Sequence, residues 1–562
     1  MDAWLTVATV AAVATTAGLG FARATTSPAW VRVGLALATS LTGAALGAAG
    51  LGSAALVPVA IGALLMLMPR YWHATGALFF ASLLVAFATY AAYLVRATFL
   101  LGGEPVGVAL GAVLLLLELI AMVLLLTGAF EMADALAARS PELPAASEPK
   151  TWPVVCLQVP AYNEPPELVI ATVRSLVALD YPALRVQVID NNTTDEALWR
   201  PVEAECERLR SEGGRVDFVH LPSWPGYKAG ALNWGLGHLA DDVEIIGIVD
   251  ADYVADANWL RETIPYFSTD DVAFVQTPQD YRAWEDSGFY RACYAGFALF
   301  FKIGMLSRAR RNSIIFAGTM GLVRRSALEE GDGWNEQIIT EDAEVSLRML
   351  ARGWSAVYVP VAYGRGIMPL TYEGLRKQRF RWAFGGIQIL RRHWRLLLPW
   401  SRRSALSFGQ RYDHLMAALW WFNDALTLGF SLFVFAAAAG AILDRPFVVQ
   451  RLSGVGIVLP LIFVGLNLTR YVWATRAATG AGIGLALGAL RVNMSLSWVI
   501  ALACLRGLTQ ERGVFLRTPK FEGAAVRELR LVWVETGLAT ISLVLLVGVI
   551  GAIVLALPER LG

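Results

Sequence analysis

Charged side chains are scarce in this chain. They make up 17% of its 562 residues, against 56% hydrophobic, and the mean hydropathy is +0.52. That is too apolar for an ordinary soluble protein and points to a membrane protein. Net charge is nearly absent, at +1, so there is no bulk attraction to nucleic acid and no nucleic-acid partner is expected. Cysteine is rare and dispersed. Cys156, Cys206, Cys293 and Cys504 show no paired spacing, which supports neither a disulfide framework nor a zinc site; they read as reduced packing residues. Also missing are a Gly-X-Gly-X-X-Gly fingerprint and a Walker loop, so neither dinucleotide binding nor ATP hydrolysis is supported.

The charge that is present lies mainly in the middle third, and the two ends are long apolar blocks. The run Trp4–Phe21 lacks the basic start of a signal peptide and reads as a retained transmembrane helix. Val31–Met68 is too long for one crossing and breaks at the Gly47–Gly52 patch; Ala74–Leu101 and Val106–Phe130 follow. This predicts about five crossings within residues 1–130. Arg23, Arg32 and Arg70 place their loops on the cytoplasmic side, with Arg96 the one charge that does not fit. The Pro-rich stretch 131–152 reads as a linker. At the other end, crossings are expected at Leu415–Leu443, Val455–Ala474 and Val534–Leu557, for about eight in all. The first of these carries Trp420, Trp421, Asn423 and Asp424, and the second Asn467 and Thr469. Polar groups at membrane depth line a cavity or a protein interface. Arg491 and Asn493 argue for an interfacial course for 483–505, and 386–413, rich in Arg, Trp and Leu, reads as interfacial helices.

Residues 153–385 change character. Strand-like runs alternate with amphipathic helical runs, the mark of an α/β fold with a mainly parallel sheet. Val154–Val159 is a strand ending in Pro160-Ala161-Tyr162-Asn163-Glu164, a helix is expected over Glu167–Leu179, and Val186–Ile189 ends in Asp190-Asn191-Asn192. Ile245–Val249 runs directly into Asp250-Ala251-Asp252. Ligand sites in such sheets lie beyond the carboxyl ends of the strands, so Tyr162, Glu164, Asp190, Asp250 and Asp252 are expected to converge. Two carboxylates one residue apart at a strand exit suit Mg²⁺ or Mn²⁺ shared with substrate phosphates. Thr340-Glu341-Asp342 opens a helical stretch, Ala343–Arg352; taken alone it reads equally as a helix start capped by Thr340. Gln378, Arg381 and Trp382 fall three and four apart, on one helical face.

In order along the chain stand Pro160–Glu164, the Asp190 turn, Gly226-Tyr227-Lys228-Ala229-Gly230-Ala231-Leu232-Asn233, Asp250-Ala251-Asp252, Phe316-Ala317-Gly318-Thr319, Thr340-Glu341-Asp342 and Gln378-Arg379-Phe380-Arg381-Trp382. This series resembles the family 2 glycosyltransferases of the GT-A fold, and specifically the processive membrane-embedded branch that includes cellulose, hyaluronan and chitin synthases. Two departures stand out. Met368-Pro369-Leu370-Thr371 replaces a Pro-Glu pair of the cellulose-synthase pattern, and Asn follows Asp190 where many relatives have a second Asp.

The resemblance implies a GT-A domain over 153–385, inserted between two blocks of transmembrane helices, 1–130 and 414–562. It implies that Tyr162, Glu164, Asp190 and Lys228 hold the nucleotide of a UDP-sugar donor. Asp250 and Asp252 would bind donor and metal, and Gln378, Arg381 and Trp382 would face the diphosphate and sugar. Phe316, Gly318, Thr319, Glu341 and Trp382 would shape the acceptor end, and Asp342 would be the general base. Phe515, Thr518 and Lys520, within 509–522, resemble the gating loop of bacterial cellulose synthase. The activity so implied is inverting, processive synthesis of a β-linked polysaccharide, with UDP-glucose the preferred donor and a β-glucan the preferred product. The growing chain would pass through the bilayer of a bacterial inner membrane, with the catalytic domain cytoplasmic and room for accessory secretion subunits. Transfer of one sugar to a lipid is the nearest rival, and a transporter or scaffold with an inactive nucleotide-sugar domain is the rival from another class.

Overall fold

In the computed structural model, the apolar runs that close on acidic residues are strands of one sheet. The structure describes residues 29–48, 55–100, 103–138, 143, 146–369, 371–443, 458–511, 513 and 532–561. The chain divides into two units. One comprises Pro141–Trp421 and Val499–Glu528; the other comprises Met1–Ser140, Phe422–Trp498 and Leu529–Gly562.

The first unit is α/β. Its strands are β1 (Val154–Ala161), β2 (Leu184–Asn191), β3 (Val216–Leu221), β4 (Val243–Ile248), β5 (Val254–Ala255), β6 (Val272–Gln276), β7 (Asp280–Arg282), β8 (Gly321–Arg324), β9 (Ser355–Tyr358) and β10 (Gly364–Ile367). Seven of them form a sheet in the order β3-β2-β1-β4-β8-β6-β9, and β5-β10-β7 form a second, small one. β3, β2, β1 and β4 are parallel, and β8 runs antiparallel to both of its neighbours, so the large sheet is mixed. Its helices include α1 (Pro166–Val177), α2 (Glu196–Ser211), α3 (Tyr227–Gly237), α4 (Gly288–Leu299), α5 (Glu341–Ala351) and α6 (Tyr372–Leu397).

Both faces of the large sheet are covered, which is why its strands are near-continuous apolar runs. Val155, Leu157 and Val159 of β1 pack with Val169, Val173 and Leu176 of α1, while Cys156 packs on the other face with Ile246, Ile248 and Phe274. The expected strands and helices of this region are present, with ends within two residues of the predicted ones. Two expectations change. Thr340 occupies the position before α5 but makes no capping hydrogen bond; its hydroxyl is buried without a partner, turned onto α6 at Gly385. And α6 runs unbroken from Tyr372 to Leu397, so the expected boundary at 385/386 falls inside one helix. Gly385 lies there because a Cβ would stand 2.6 Å from Thr340 Cγ2.

In the second unit, among the described residues, three helices are long and apolar enough to cross a membrane: Ala74–Phe99, Pro105–Leu136 and Phe422–Gly440. Ile483–Met494, in the stretch expected to be interfacial, qualifies only together with Ser497–Thr509, most of which belongs to the first unit. Val458–Thr479 is a helix of 22 residues in a stretch expected to cross, and Arg470 and Arg476 lie within it. Three polar pairs involve these helices. Ser497 Oγ donates to Asp424 Oδ1 at 2.6 Å, Trp72 Nε1 to Asp134 Oδ1 at 2.8 Å, and Tyr90 Oη to Glu118 Oε1 at 3.3 Å. The sequence reading singled out Asp424 and passed over Glu118 and Asp134. The side chain of Asn467 lies outside the described residues, as do Phe515, Thr518 and Lys520.

Candidate active site

The ends of β1, β2 and β4 deliver the acids to one region, and turns from β8 and α5 complete it. At the β2 exit, Asp190 is almost fully buried. Its Oδ2 accepts from Thr193 Oγ1 at 2.8 Å, and its Oδ1 lies 2.9 Å from His220 Nδ1. The β2–β3 register places Asp190 opposite His220, and His220 stacks on Trp199 at 4.3 Å. Burial pushes the Asp190 carboxyl above its ordinary value, against the pull of Thr193 and His220. Thr193 also accepts the Asn163 N–H at 2.9 Å, which ties the Tyr162–Glu164 turn to Asp190. Tyr162 is exposed. The following asparagines are clamps. Asn191 Nδ2 donates to Tyr227 O at 2.9 Å, and Asn192 bonds both the N–H and the carbonyl of Trp224.

That clamp shapes the approach to α3, where Gly226 and Tyr227 have φ of +82° and +53°. Lys228 follows. Its Nζ donates to Asp250 Oδ1 at 2.6 Å and to Gly318 O at 2.8 Å. Burial works against its charge, but Asp250, Glu341 and Asp342 outweigh it, and the ammonium titrates above its ordinary value.

The Phe316–Thr319 turn is held by residues the sequence reading missed. Gln276 Nε2 donates to Thr319 O at 2.9 Å and its Oε1 accepts the Ala317 N–H at 2.8 Å; Gln279 Nε2 donates to Ala317 O at 2.6 Å. A glutamine closing an apolar strand, Val-Ala-Phe-Val-Gln, was the available signal. Two residues of this turn face inward. Phe316 is 1% exposed and packs edge-on against Phe274 at 5.7 Å, so it anchors the turn in the core. Thr319 is fully buried, and its Oγ1 accepts the Asp250 N–H at 3.0 Å. Gly318 lies at the site, with φ +77°; a Cβ there would collide with Asp342 Oδ2 and stand 3.2 Å from its Cγ.

Glu341 and Asp342 therefore sit at the start of α5 within the field of Lys228. Burial pushes Glu341 up to about 8, with Asp342 adding to the rise. Asp342 is raised too, first by burial, against Lys228 and the Ala343 N–H that its Oδ1 accepts at 2.8 Å. Arg381 is pulled below its ordinary value by burial while Glu341, Asp250 and Asp342 act against that. Trp382 meets Phe297 edge-on at 5.7 Å, and Arg379 lies 4.7 Å above both rings. Gln378 is half-buried, with its Oε1 unpartnered. A shallow cleft runs between Gly226–Ala229 and Glu336–Ile339, with Lys228 and Glu341 in its wall.

Asp252 is nearly buried, and its Oδ2 accepts the Ile367 N–H at 3.0 Å. No group of three His, Cys, Asp or Glu that could hold a metal is found among the described residues. Two carboxylates without a third ligand fit a hard divalent cation that takes its other ligands from phosphates and water.

The family model described as "Glycosyltransferase like family 2" matches residues 153–385, and the one described as "Cellulose synthase" matches 329–486. Together they span more than half of the chain. This is a family 2 glycosyltransferase of the cellulose-synthase type. A probable glucomannan 4-beta-mannosyltransferase 9 of Oryza sativa is 30% identical to it over 43% of this chain and 46% of that protein. Cellulose synthase 1 of Komagataeibacter xylinus is 31% identical over 55% of this chain and 19% of that protein. The glycosyltransferase thus spans less than half the length of these curated relatives. Among solved structures, the mannosyltransferase PcManGT of Pyrobaculum calidifontis, in complex with GDP-Man and Mn²⁺, aligns with a TM-score of 0.48 at 19% identity, over 70% of this chain and 99% of that one.

Proposed function

We propose that this glycosyltransferase is an inverting, processive polysaccharide synthase. The observation that carries the reading is the placement of Asp342 against Gly318, within the field of Lys228, Asp250 and Arg381. A base, two cations and the Asp250 carboxylate around one point suit transfer from a nucleotide diphosphate sugar. Tyr162, Glu164, Asp190 and Lys228 bind the nucleotide. Lys228 and Arg381 turn positive charge toward the departing diphosphate, and the open amide oxygen of Gln378, an acceptor, serves a hydroxyl of the donor sugar. Asp342 takes the proton from the acceptor hydroxyl as that oxygen attacks the anomeric carbon. A single displacement inverts the centre, so an α-linked donor gives a β-glycoside. Trp382 offers a flat face to the acceptor sugar. Asp250 and Asp252 hold Mg²⁺ or Mn²⁺ with the donor phosphates; that ion, when bound, offsets charge growing on the leaving group. About eight crossings, a bacterial inner-membrane location with the domain cytoplasmic, and passage of the product through the membrane helices belong to the same reading.

The donor sugar has two readings. The motif series favours UDP-glucose and a β-glucan. The similarity to glucomannan 4-beta-mannosyltransferases favours a mannosyl donor. The test is nucleotide release by the purified, detergent-solubilised protein with Mg²⁺ or Mn²⁺, across UDP- and GDP-hexoses, followed by β-glucanase and β-mannanase digestion. Metal-dependent turnover with a long, digestible product supports the polymerase and names the sugar. A short lipid-linked product would move the reading to a lipid transferase.

A further inference from the structure

The proposed base and the proposed diphosphate ligand stand on different helices, Asp342 on α5 and Arg381 on α6. Their spacing must be set by whatever joins those helices. Near the site the joints are the fit of Thr340 onto Gly385 and the Ile339 N–H donated to Gln388 Oε1 at 3.2 Å. Farther along α5 there is a stronger one. Glu344, two residues beyond Asp342, is fully buried. Its Oε2 accepts from Arg348 Nε at 2.7 Å on the same helix. Its Oε1 lies 2.7 Å from His393 Nε2 on α6 and accepts from Asn335 Nδ2 at 3.2 Å. Arg348 Nη2 donates onward to Gly333 O at 2.6 Å. One buried carboxylate thus joins α5, α6 and the 333–337 segment that leads into Glu341 and Asp342. These bonds hold the Glu344 carboxylate below its ordinary value despite its burial.

A buried carboxylate is stable only while its donors stay in place, so this cluster has one good arrangement. Arg348 compensates the charge from within α5. The His393 contact is the part that reaches α6. We propose that His393, through Glu344, is a positioning residue that sets the register of the helix carrying Asp342 against the helix carrying Arg381. The proposal rests on the reading of Asp342 as the base. It assigns no chemistry to His393, whose partner is Glu344.

The test compares His393→Leu, which cannot bond Glu344, with His393→Gln, whose amide N–H can. His393→Asn, too short to reach, replaces the Leu variant should that fail to fold. Nucleotide release is measured with purified protein well below each variant's melting temperature, alongside Asp342→Asn. Expected is a fall of about tenfold or more in kcat for His393→Leu with the donor KM within about twofold, because misplacement by a fraction of an ångström acts on the transition state. His393→Gln should recover most of the rate. Wild-type kcat in His393→Leu, or equal losses in Leu and Gln that track the folded fraction, would overturn the proposal while a silent Asp342→Asn left the base assignment standing. An active Asp342→Asn would overturn both.

Discussion

Replacing Gly318 by alanine tests the site with a single methyl group. Two effects add. The φ of +77° is one that an L side chain rarely adopts, and holding alanine there costs about 1–2 kcal/mol. The new Cβ would also collide with Asp342 Oδ2 and stand 3.2 Å from Cγ. Relief requires the carboxylate to retreat by about 1 Å or the turn to twist, and misplacement of that size costs up to about a hundredfold in rate. Twisting the turn offers no escape, because the Gly318 carbonyl accepts from Lys228 Nζ at 2.8 Å. Gly318→Ala should therefore lose about two orders of magnitude in kcat, with a fall of only about 2–5 °C in melting temperature. Nucleotide release at saturating donor, paired with a thermal scan of the same preparation, reads both. A variant that keeps wild-type kcat would refute the placement of Asp342 beside this glycine.

Three further outcomes follow from the same geometry. The raised carboxyls of Glu341, up to about 8, and Asp342 mean that the folded enzyme holds protons the unfolded chain has released. Ligand-free stability should then fall as pH rises from about 4.5 to 8, by up to roughly 1.4 kcal/mol per unit for one group; Glu341→Gln should flatten that slope in melting scans, and log kcat/KM should rise with pH through an apparent value above the ordinary carboxylate range. Thr319→Val keeps the shape but leaves the Asp250 N–H unpaired, which costs about 1–3 kcal/mol. Its donor KM should rise while Thr319→Ser, which retains the acceptor, stays near wild type. Asp252→Asn should weaken Mn²⁺ binding in the presence of the nucleoside diphosphate by at least about tenfold, read by titration calorimetry, with little effect on nucleotide binding in the absence of metal.

The parts of the fold that were legible are those where one local rule decides. β4 is a buried apolar run, and the two acids one residue apart at its exit stand out against it. Convergence of Asp190 with the Tyr162 turn followed from strand ends in a parallel sheet. The pairing of Asp190 with His220 was not legible, because it depends on the register between β2 and β3. The inward course of Phe316 and Thr319 was not legible for a related reason. A turn at φ +77° reverses direction at Gly318, so its neighbours face the core while the glycine faces Asp342. Thr340 looked like a cap because capping residues are common before helices, but the close approach at Gly385 turned its side chain to α6. The membrane helices were hardest to count: a mixed Gly, Ala and Leu composition carries little periodicity, and Arg470 sits inside a helix that hydropathy alone would make a span.

The central claim is that Asp342 is the base and not merely a helix-start acid. Asp342→Asn preserves shape and removes the proton acceptor. Nucleotide release with the preferred donor should fall by about 10²–10⁴-fold, while calorimetric binding of the nucleoside diphosphate with Mn²⁺ stays within a few-fold of wild type. Turnover near the wild-type rate with binding intact would contradict the account.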